Sequence, residues 1–369
     1  MSDVFSHASF ADHEMVVHVR DADSGLRALI AVHDTSAGPA IGGIRRFAYD
    51  DESAALNDVL RLSRAMTYKT ATAGLDFGGG KSVILAEPGQ TVTEAQLRAF
   101  ARGIERLGGS YFGGEDVGTG VAQIDVMAKT TDFVLGRSRG PFASGDPSPF
   151  TAEGVDLGLR AAVGAAFGSD SVADLTIGII GLGAVGMKLA ERLRAAGATL
   201  IVTDIDERKT GYARRVLEAE VIDLDGMLGR RLDVLAPCAL GGLLTEALAE
   251  RIDTRVIAGA ANNQLANDAA GDILHERGIL YAPDYVINAG GLLNVAAEAQ
   301  AMLAARAGRN TRYEASAVHD AVARIPATLR HIFARAQAEQ RSPAAVADAL
   351  AEERLSHLKH EPLLVHAAE

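Results

Sequence analysis

Short apolar runs alternate with longer amphipathic stretches in the second half of the chain. The runs are rich in β-branched residues, and this pattern is typical of strands buried in a parallel sheet. They lie at residues 175–180, 199–203, 233–236, 255–258 and 279–282. We expect a helix at about 184–196, between the first two runs. The alternation predicts a doubly wound parallel sheet, and after Asn288 the chain becomes mostly helical.

The first part of the chain has a different pattern. Residues 26–32 and 82–86 resemble strands, and the acidic run at 50–52 opens a helix because acids favour its positive end. Apolar residues then recur at helical spacing, so that one stripe faces the core. The stripe consists of Leu56, Val59, Leu60, Ser63 and Met66. We therefore expect an α/β domain here as well.

A segment rich in Gly, Ser and Pro at 137–149 indicates a linker before a helix that begins near Thr151. We predict a first domain at 1–147 and a dinucleotide-binding Rossmann domain at 148–334. A C-terminal helix at about 335–369 is expected to pack back on the first domain. A chain of 369 residues is long enough for two such domains.

Composition excludes several classes of protein. The formal charge of −12 argues against a nucleic-acid partner, and no run of apolar residues is long enough for a membrane span. A single cysteine, Cys238, excludes a disulfide framework and fits a reducing compartment. The N-terminus lacks the basic start and apolar core of a signal peptide. We expect a cytoplasmic protein.

A glycine signature follows the run at 175–180 and predicts a dinucleotide site. Gly181 allows the tight turn, Gly183 lets a pyrophosphate approach the backbone, and Gly186 allows close packing of the helix. Ala184 and Val185 open that helix, whose N-terminus binds phosphate. Asp204 ends the next strand, where a carboxylate can hold the ribose hydroxyls of NAD and repel the extra phosphate of NADP. The alternative is a glycine-rich turn in an ordinary α/β core.

Two lysines stand out in the first domain. Lys81 follows Gly78, Gly79 and Gly80, and we expect it at a strand start where a substrate can approach the backbone. Lys69 lies at the C-terminal end of the first helix, where it could equally stabilise the helix dipole and reach solvent.

Two other site types are rejected. A phosphate-binding loop at Gly80-Lys81-Ser82 would need a glycine where the chain has Leu75. His357 and His360 have the spacing of metal ligands but no acidic or cysteine partner nearby in sequence, so no metal site is predicted.

Several motifs together resemble the glutamate/leucine/phenylalanine/valine dehydrogenase family, and the leucine and valine enzymes most. The motifs are GPAIGG at 38–43, MTYK at 66–69, GLDFGGGK at 74–81, EDVG at 115–118, APCALG at 236–241, GAANNQ at 259–264 and YAPDYVINAGG at 281–291. The resemblance implies NAD-dependent, reversible oxidative deamination of an L-amino acid to a 2-oxo acid and ammonia. It also implies a substrate and oligomerisation domain beside the Rossmann domain, and a homo-oligomer.

The resemblance assigns roles to single residues. Lys69 would bind the substrate carboxylate, assisted by the backbone near Gly42 and Gly43 and by the amide of Asn262. Lys81 would be the general base that activates water, and Asp116 would hold the substrate amino group and exchange protons with it. Glu115 is a rival to Asp116 on sequence alone. The resemblance also places Thr151, Ala239, Asn262 and Asn288 at the cofactor.

The same resemblance predicts an apolar pocket for the substrate side chain. Its lining would comprise Ile41, Met66, Gly114, Leu135, Leu292 and Val295. Leu135 replaces an expected Thr, Gly114 replaces an Ala, and Ile44 stands where a Thr is usual, so the preferred side chain is left open. The leading interpretation is a dehydrogenase of leucine, isoleucine and valine. A phenylalanine dehydrogenase and a catalytically silent NAD-binding regulator are the alternatives.

Overall fold

The computed structural model describes residues 4–239 and 241–360, with the side chain of His360 left out. Leu240, in one of the family motifs, and residues 361–369, in the predicted C-terminal helix, lie outside the described residues. The described chain divides into two compact units. The first lies within Met1–Asp146, Val295–Glu314 and Leu350–Glu369, and the second within Pro147–Asn294 and Ala315–Ala349. The assignment of a function to each domain stays a prediction.

The first unit is built on a mixed sheet. Its strands are β1 (Met15–Asp21), β2 (Leu26–Asp34), β3 (Ala40–Phe47), β4 (Gly78–Leu85) and β5 (Tyr111–Glu115). Within the described residues they are ordered β1-β2-β4-β3-β5. β2 is antiparallel to β1 and β4, whereas β3 is parallel to β4 and β5. The helices are α1 (Glu52–Thr72), α2 (Glu94–Glu105) and α3 (Val121–Met127).

Helix α1 begins where the acidic run predicts. The Asp51 side chain caps it by accepting a hydrogen bond of 2.7 Å from the Ala54 N–H, and Glu52 lies in its first turn. Its apolar stripe packs on the sheet in one cluster with Leu29 and Val83. This burial fixes α1 over β2 and β4, which determines the surroundings of the site described below.

The second unit contains the predicted parallel sheet. Its strands are β6 (Thr176–Ile180), β7 (Thr199–Thr203), β8 (Glu220–Val221), β9 (Leu232–Pro237), β10 (Thr254–Ile257) and β11 (Leu280–Tyr281). All described pairs are parallel, in the order β11-β10-β9-β6-β7-β8. The chain order reverses between β6 and β9, and such a switch point is where open α/β sheets bind dinucleotides.

Helices surround this sheet and dominate the rest of the chain, as the pattern after Asn288 predicts. They are α4 (Ser148–Phe167), α5 (Ala184–Ala195), α6 (Glu207–Val216), α7 (Leu224–Leu228), α8 (Glu246–Ala249), α9 (Asp268–Glu276), α10 (Asp284–Ile287), α11 (Gly290–Arg306), α12 (Ala315–Val322), α13 (Ile325–Glu339) and α14 (Pro343–His360). Among the helices of the described residues, none combines the length and apolarity needed to cross a bilayer.

The end of α14 belongs to the first unit and makes polar contacts within it. The Tyr68 hydroxyl donates a 2.8 Å hydrogen bond to Glu352, and Lys359 forms a 2.9 Å ion pair with Asp34. Asp34 is buried, and the Lys359 charge helps to offset the cost of placing a carboxylate there.

Two histidines lie between α1 and the sheet. His13 Nε2 is 3.0 Å from Ser63 Oγ, and His33 Nδ1 is 2.8 Å from Thr67 Oγ1. The two imidazole rings meet edge to face with centroids 4.9 Å apart. Burial, reinforced by the charge of His13, lowers the pKa of His33 from 6.5 to about 4. The imidazole of His33 is therefore neutral in the folded protein at neutral pH.

We predict that His33 makes the protein sensitive to acid. Between about pH 6.5 and pH 4 the unfolded chain binds a proton that the folded protein does not. The free energy of unfolding therefore decreases as the pH is lowered through this range. The lowering of the pKa from 6.5 to about 4 corresponds to roughly 3 kcal/mol, at about 1.4 kcal/mol per pKa unit. Urea unfolding at several pH values should show that the free energy of unfolding of His33→Asn falls less steeply toward acid pH than that of the wild type. The same change at the exposed His331 is the control, and equal pH slopes for both variants would contradict the prediction.

Candidate active site

Lys81 lies in the middle of a strand, and the expectation of a strand start was wrong. β4 begins at Gly78, so the three glycines are themselves strand residues. They are needed because neighbours approach closely: a Cβ on Gly80 would lie 2.7 Å from the Tyr111 ring, and one on Gly79 would overlap the backbone of Thr67 in α1. The glycines thus let α1 and β5 pack tightly around the strand that carries Lys81.

Lys81 and Asp116 form a buried ion pair. Lys81 Nζ is 2.7 Å from Asp116 Oδ2, and the two side chains are 8% and 14% exposed. Burial alone would raise the pKa of the Asp116 carboxyl, but the charges of Lys81 and Arg45 outweigh it and lower that pKa below its ordinary value. Asp116 is therefore an ionised carboxylate in direct contact with an amine, an arrangement suited to proton transfer.

Gly43 makes room for this pair. A Cβ at this position would lie 2.7 Å from Asp116 Cβ and 2.8 Å from Lys81 Nζ. Any larger residue would push the two charged groups away from β3. The sequence singled out Gly43 for its backbone, and the structure adds that its missing side chain is equally important.

Strand alternation separates Asp116 from its rival Glu115. Gly43 pairs with Gly114 in the β3–β5 ladder, so Gly114 and Asp116 share the face that carries Lys81, whereas Glu115 projects from the other face. The pKa of Glu115 is raised, first by burial and then by the charge of Asp146. The structure brings Lys81 together with Asp116 and not with Glu115.

Arg45 also contacts the pair, and sequence reasoning missed it. Its Nε lies 3.1 Å from Asp116 Oδ2, and its Nη1 lies 3.0 Å from Asp58 Oδ2. A signal was present, because Arg45 comes two residues after Gly43 and so occupies the same face of β3. It could be used only with knowledge of the strand pairing, since β3 meets β4 and β5 in space and not in sequence.

Lys69 and the Gly42–Gly43 backbone occupy different elements of the first unit. Lys69 lies half-buried in the last turn of α1, as the spacing predicts. The backbone of Gly42 and Gly43 is supported from behind by Tyr111, whose buried hydroxyl donates to the Gly42 carbonyl at 3.2 Å and lies 3.3 Å from that of Gly43. Tyr111 is a second residue that sequence reasoning missed.

The predicted pocket residues of the first unit are mostly buried. Ile41 and Leu135 are almost inaccessible, while Met66 and Val295 are half-buried. Gly114 is the exception to the tight packing of glycines on this sheet, because the nearest atom to a Cβ there would be the Leu135 carbonyl oxygen at 4.0 Å. Leu292 belongs to the second unit and is buried in α11.

The glycine signature has the geometry that dinucleotide binding requires. Gly181 follows β6 with a φ of 97°, a conformation that other residues rarely adopt. A Cβ on Gly183 would meet no atom within 4 Å, so this face of the turn is open to a phosphate, whereas one on Gly186 would overlap the Gly181 carbonyl. Ala184 and Val185 form the first turn of α5, which presents free N–H groups. The residues therefore fit a dinucleotide.

Asp204 supports the same turn. Its Oδ2 accepts a 2.6 Å hydrogen bond from the Leu182 N–H, and its Oδ1 accepts one of 2.8 Å from the Asp206 N–H. Each carboxylate oxygen has a second lone pair, which is the acceptor available to a ribose hydroxyl. Asp204 thus has a structural role in this turn, and its role at the ribose stays a prediction.

The remaining cofactor candidates lie around the switch point and the start of α4. Ala239 follows β9 and lies against Gly181. A Cβ placed on Gly181 would be 2.8 Å from the Cβ of Ala239. Asn288 Nδ2 donates to Asn262 Oδ1 at 2.9 Å, so these two amides orient each other. Thr151 Oγ1 donates to the Pro147 carbonyl at 3.1 Å.

Models of known protein families match segments in both units of the chain. The dimerisation domain of Glu/Leu/Phe/Val dehydrogenases matches residues 13–133, and the glutamate/leucine/phenylalanine/valine dehydrogenase domain matches residues 201–360. The NAD-binding domain of D-isomer specific 2-hydroxyacid dehydrogenases also matches residues 160–239.

Individual relatives cover nearly the whole chain. The leucine dehydrogenase of Geobacillus stearothermophilus is 43% identical over 97% of this chain and 94% of its own length. The valine dehydrogenase of Streptomyces coelicolor is 42% identical over 96% of each chain. The crystal structure of L-tryptophan dehydrogenase from Nostoc punctiforme superposes with a TM-score of 0.77 and 36% identity, covering 94% of this chain and 97% of that one. The chain therefore belongs to the glutamate/leucine/phenylalanine/valine dehydrogenase family.

Proposed function

We propose that the protein catalyses the NAD-dependent, reversible oxidative deamination of branched-chain L-amino acids to 2-oxo acids and ammonia. The observation that carries the proposal is the buried Lys81–Asp116 pair beside the Gly43 backbone. Leucine and valine dehydrogenases at 42–45% identity support the substrate class. NAD is the cofactor of this dehydrogenase, and the open turn at Gly183 fits its pyrophosphate.

The groups of the first unit supply the proton transfers. Asp116, as a carboxylate, accepts a hydrogen bond from the substrate amino group and takes up its proton. The chemistry that a bound NAD would supply is acceptance of a hydride from the substrate α-carbon, which would convert the substrate to a protonated imine. Lys81, in its neutral form, removes a proton from the water that attacks the imine carbon, which gives an amino alcohol. Asp116 returns its proton to the nitrogen, ammonia departs, and the hydroxyl proton is released to solvent water as the C=O bond forms. The product is the 2-oxo acid.

Substrate binding needs a cation and backbone donors. Lys69, half-buried at the end of α1, offers a compact positive charge for the substrate carboxylate. The Tyr111 hydroxyl holds the Gly42–Gly43 segment, whose backbone would assist in binding that carboxylate. In the second unit, the amide of Asn262 is oriented by Asn288 and assists.

An apolar side chain is expected because the predicted lining offers no charged group. Ile41 and Leu135 present hydrocarbon, and a polar side chain would lose its hydrogen bonds to water without replacement. The space beside Gly114 favours phenylalanine as a second candidate substrate. A silent NAD-binding regulator is disfavoured, since a buried ion pair is costly to keep where no reaction uses it.

Two further properties are part of the proposal. We infer a homo-oligomer, supported by the match of residues 13–133 to a dimerisation domain. The partners would otherwise be small molecules: the amino acid, the 2-oxo acid and ammonia. A cytoplasmic location stays a prediction.

A substrate panel tests the proposed function. NADH production at alkaline pH should be highest with leucine, isoleucine, valine and norvaline. One buried methylene contributes about 0.8 kcal/mol, so these substrates should differ by roughly fourfold per methylene in kcat/KM. Glutamate should be rejected. A preference for phenylalanine would select the alternative, and no NADH with any amino acid would refute the enzyme.

The two lysines should fail in different ways. Lys69→Ala should chiefly raise KM, because a carboxylate contact exists in both the ground and transition states. Lys81→Ala should lower kcat by roughly 10² to 10⁴, the usual contribution of a positioned acid–base group. Lys129→Ala, at an exposed lysine of the same unit, is the control. Purely binding effects from both changes would rule out the assigned roles.

Asp204 should determine the choice of cofactor. Its charge opposes the 2′-phosphate of NADP, so kcat/KM should be much higher with NAD. Asp204→Asn keeps an acceptor for the Leu182 N–H but removes the charge. It should lower the ratio of kcat/KM with NAD to kcat/KM with NADP by about tenfold, which is about 1.4 kcal/mol. Glu207→Gln removes a charge from an exposed site nearby as a control. An unchanged ratio in Asp204→Asn would contradict this role.

A further inference from the structure

A single oxygen of Asp116 accepts hydrogen bonds from two cations. Oδ2 lies 2.7 Å from Lys81 Nζ and 3.1 Å from Arg45 Nε. One buried carboxylate thus has two positive partners, of which Arg45 is shared with the carboxylate of Asp58. The proposed reaction uses the Lys81–Asp116 pair and leaves Arg45 without a role.

Arg45 is itself held rigidly. Its Nη1 lies 3.0 Å from Asp58 Oδ2 in α1, and the same oxygen accepts a 2.6 Å hydrogen bond from the Tyr49 hydroxyl. The guanidinium is planar, so fixing Nη1 on Asp58 also fixes the direction of Nε toward Asp116. Asp58, Tyr49 and Arg45 form one connected chain, which we call the Arg45 network.

The two cations differ in one decisive property. Lys81 must give up its proton in order to act as a base, and it is then neutral, whereas a guanidinium stays charged at any working pH. A buried carboxylate that loses its counter-charge becomes strongly unfavourable. Arg45 remains beside Asp116 at that moment, so Asp116 can stay ionised while Lys81 is neutral.

We propose that Arg45 is a positioning residue, which holds Asp116 in place throughout the reaction and keeps it ionised while Lys81 is neutral, until Asp116 takes up the substrate proton. Asp58 and Tyr49 align Arg45 itself. The inference rests on the proposed function and adds a residue to it. Arg45 acts through Asp116. Its charge, with that of Lys81, holds the pKa of the Asp116 carboxyl below its ordinary value, so loss of Arg45 should make Asp116 easier to protonate.

Other titratable groups also influence this carboxylate. Within the described residues, the charge of Asp116 interacts with Tyr49 beside α1 and with Tyr111 and Glu115 on β5. Burial raises the pKa of both tyrosines above the working range, so the tyrosines stay neutral. Glu115 is unchanged in the variants below, so its contribution is common to all of them.

The test compares Arg45→Gln with Arg46→Gln. Arg46 is the next residue of β3, projects from the opposite face and donates to the Gln90 carbonyl, so its variant controls for loss of a strand arginine. Arg45→Gln should lower kcat by roughly 10²-fold, the lower end for a positioned acid–base group, and change KM for the amino acid much less. The rising limb of kcat/KM against pH should move to higher pH by about one unit.

Two milder variants and a rescue separate positioning from support of the fold. Asp58→Asn and Tyr49→Phe loosen Arg45 without removing its charge, and they should lower kcat by roughly tenfold or less with a smaller pH shift. Added guanidinium should restore part of the kcat of Arg45→Ala. A stable Arg45→Gln enzyme with wild-type kcat and pH profile would overturn the proposal. So would equal losses in Arg46→Gln, or milder variants that lose thermal stability with an unchanged pH profile.

The wild-type enzyme separates this proposal from the one on which it rests. If the wild-type enzyme reduces NAD with no amino acid, the proposed function fails, and the role of Arg45, which rests on it, fails with it. If the wild-type enzyme is active, the kcat and pH profile of Arg45→Gln decide whether Arg45 has the proposed positioning role.

Discussion

The site depends on holding a lysine and a carboxylate together on the covered face of a sheet. Removing either charge from water costs several kcal/mol, and the cost is offset only by close contact with the partner. The 2.7 Å contact of Lys81 with Asp116 provides this, and Arg45 adds a permanent positive charge. The contact is possible because Gly43 leaves the space that a side chain would fill. The placement of β3, β4 and β5 is therefore a requirement of the chemistry.

Glycine serves two physical purposes in this chain. In β4, the glycines before Lys81 remove side chains where α1 and Tyr111 approach the backbone, so the site is compact and shielded. In the second unit, Gly181 adopts a positive φ and Gly183 leaves open space at the N-terminus of α5, where a phosphate can bind. The first use buries the Lys81–Asp116 pair, and the second leaves space of the kind that a phosphate needs.

The same packing separates the reaction from the choice of substrate. The groups proposed to move protons are fixed by short polar contacts, whereas the proposed side-chain pocket is bounded by hydrocarbon and by the space at Gly114. Substitutions in the pocket alter volume by a methyl group or two, which shifts affinity by modest amounts. Relatives named for leucine, valine and tryptophan share this fold, in accord with a constant reaction on a variable pocket.

The sequence alone determined the Rossmann sheet, because strand, glycine turn, helix and acid lie within about thirty consecutive residues and each obeys a local rule. It also placed α1, whose cap and stripe are local signals. It failed at β4, where it put Lys81 at a strand start, and it overlooked Arg45 and Tyr111. In the sequence only the family resemblance selected Asp116 over Glu115, and the face of β5 gives that choice a physical reason. The proposed role of Arg45 needed the pairing of β3 with its neighbours. Contacts between strands distant in sequence arise only when the sheet assembles, so tertiary structure decided which charged groups meet.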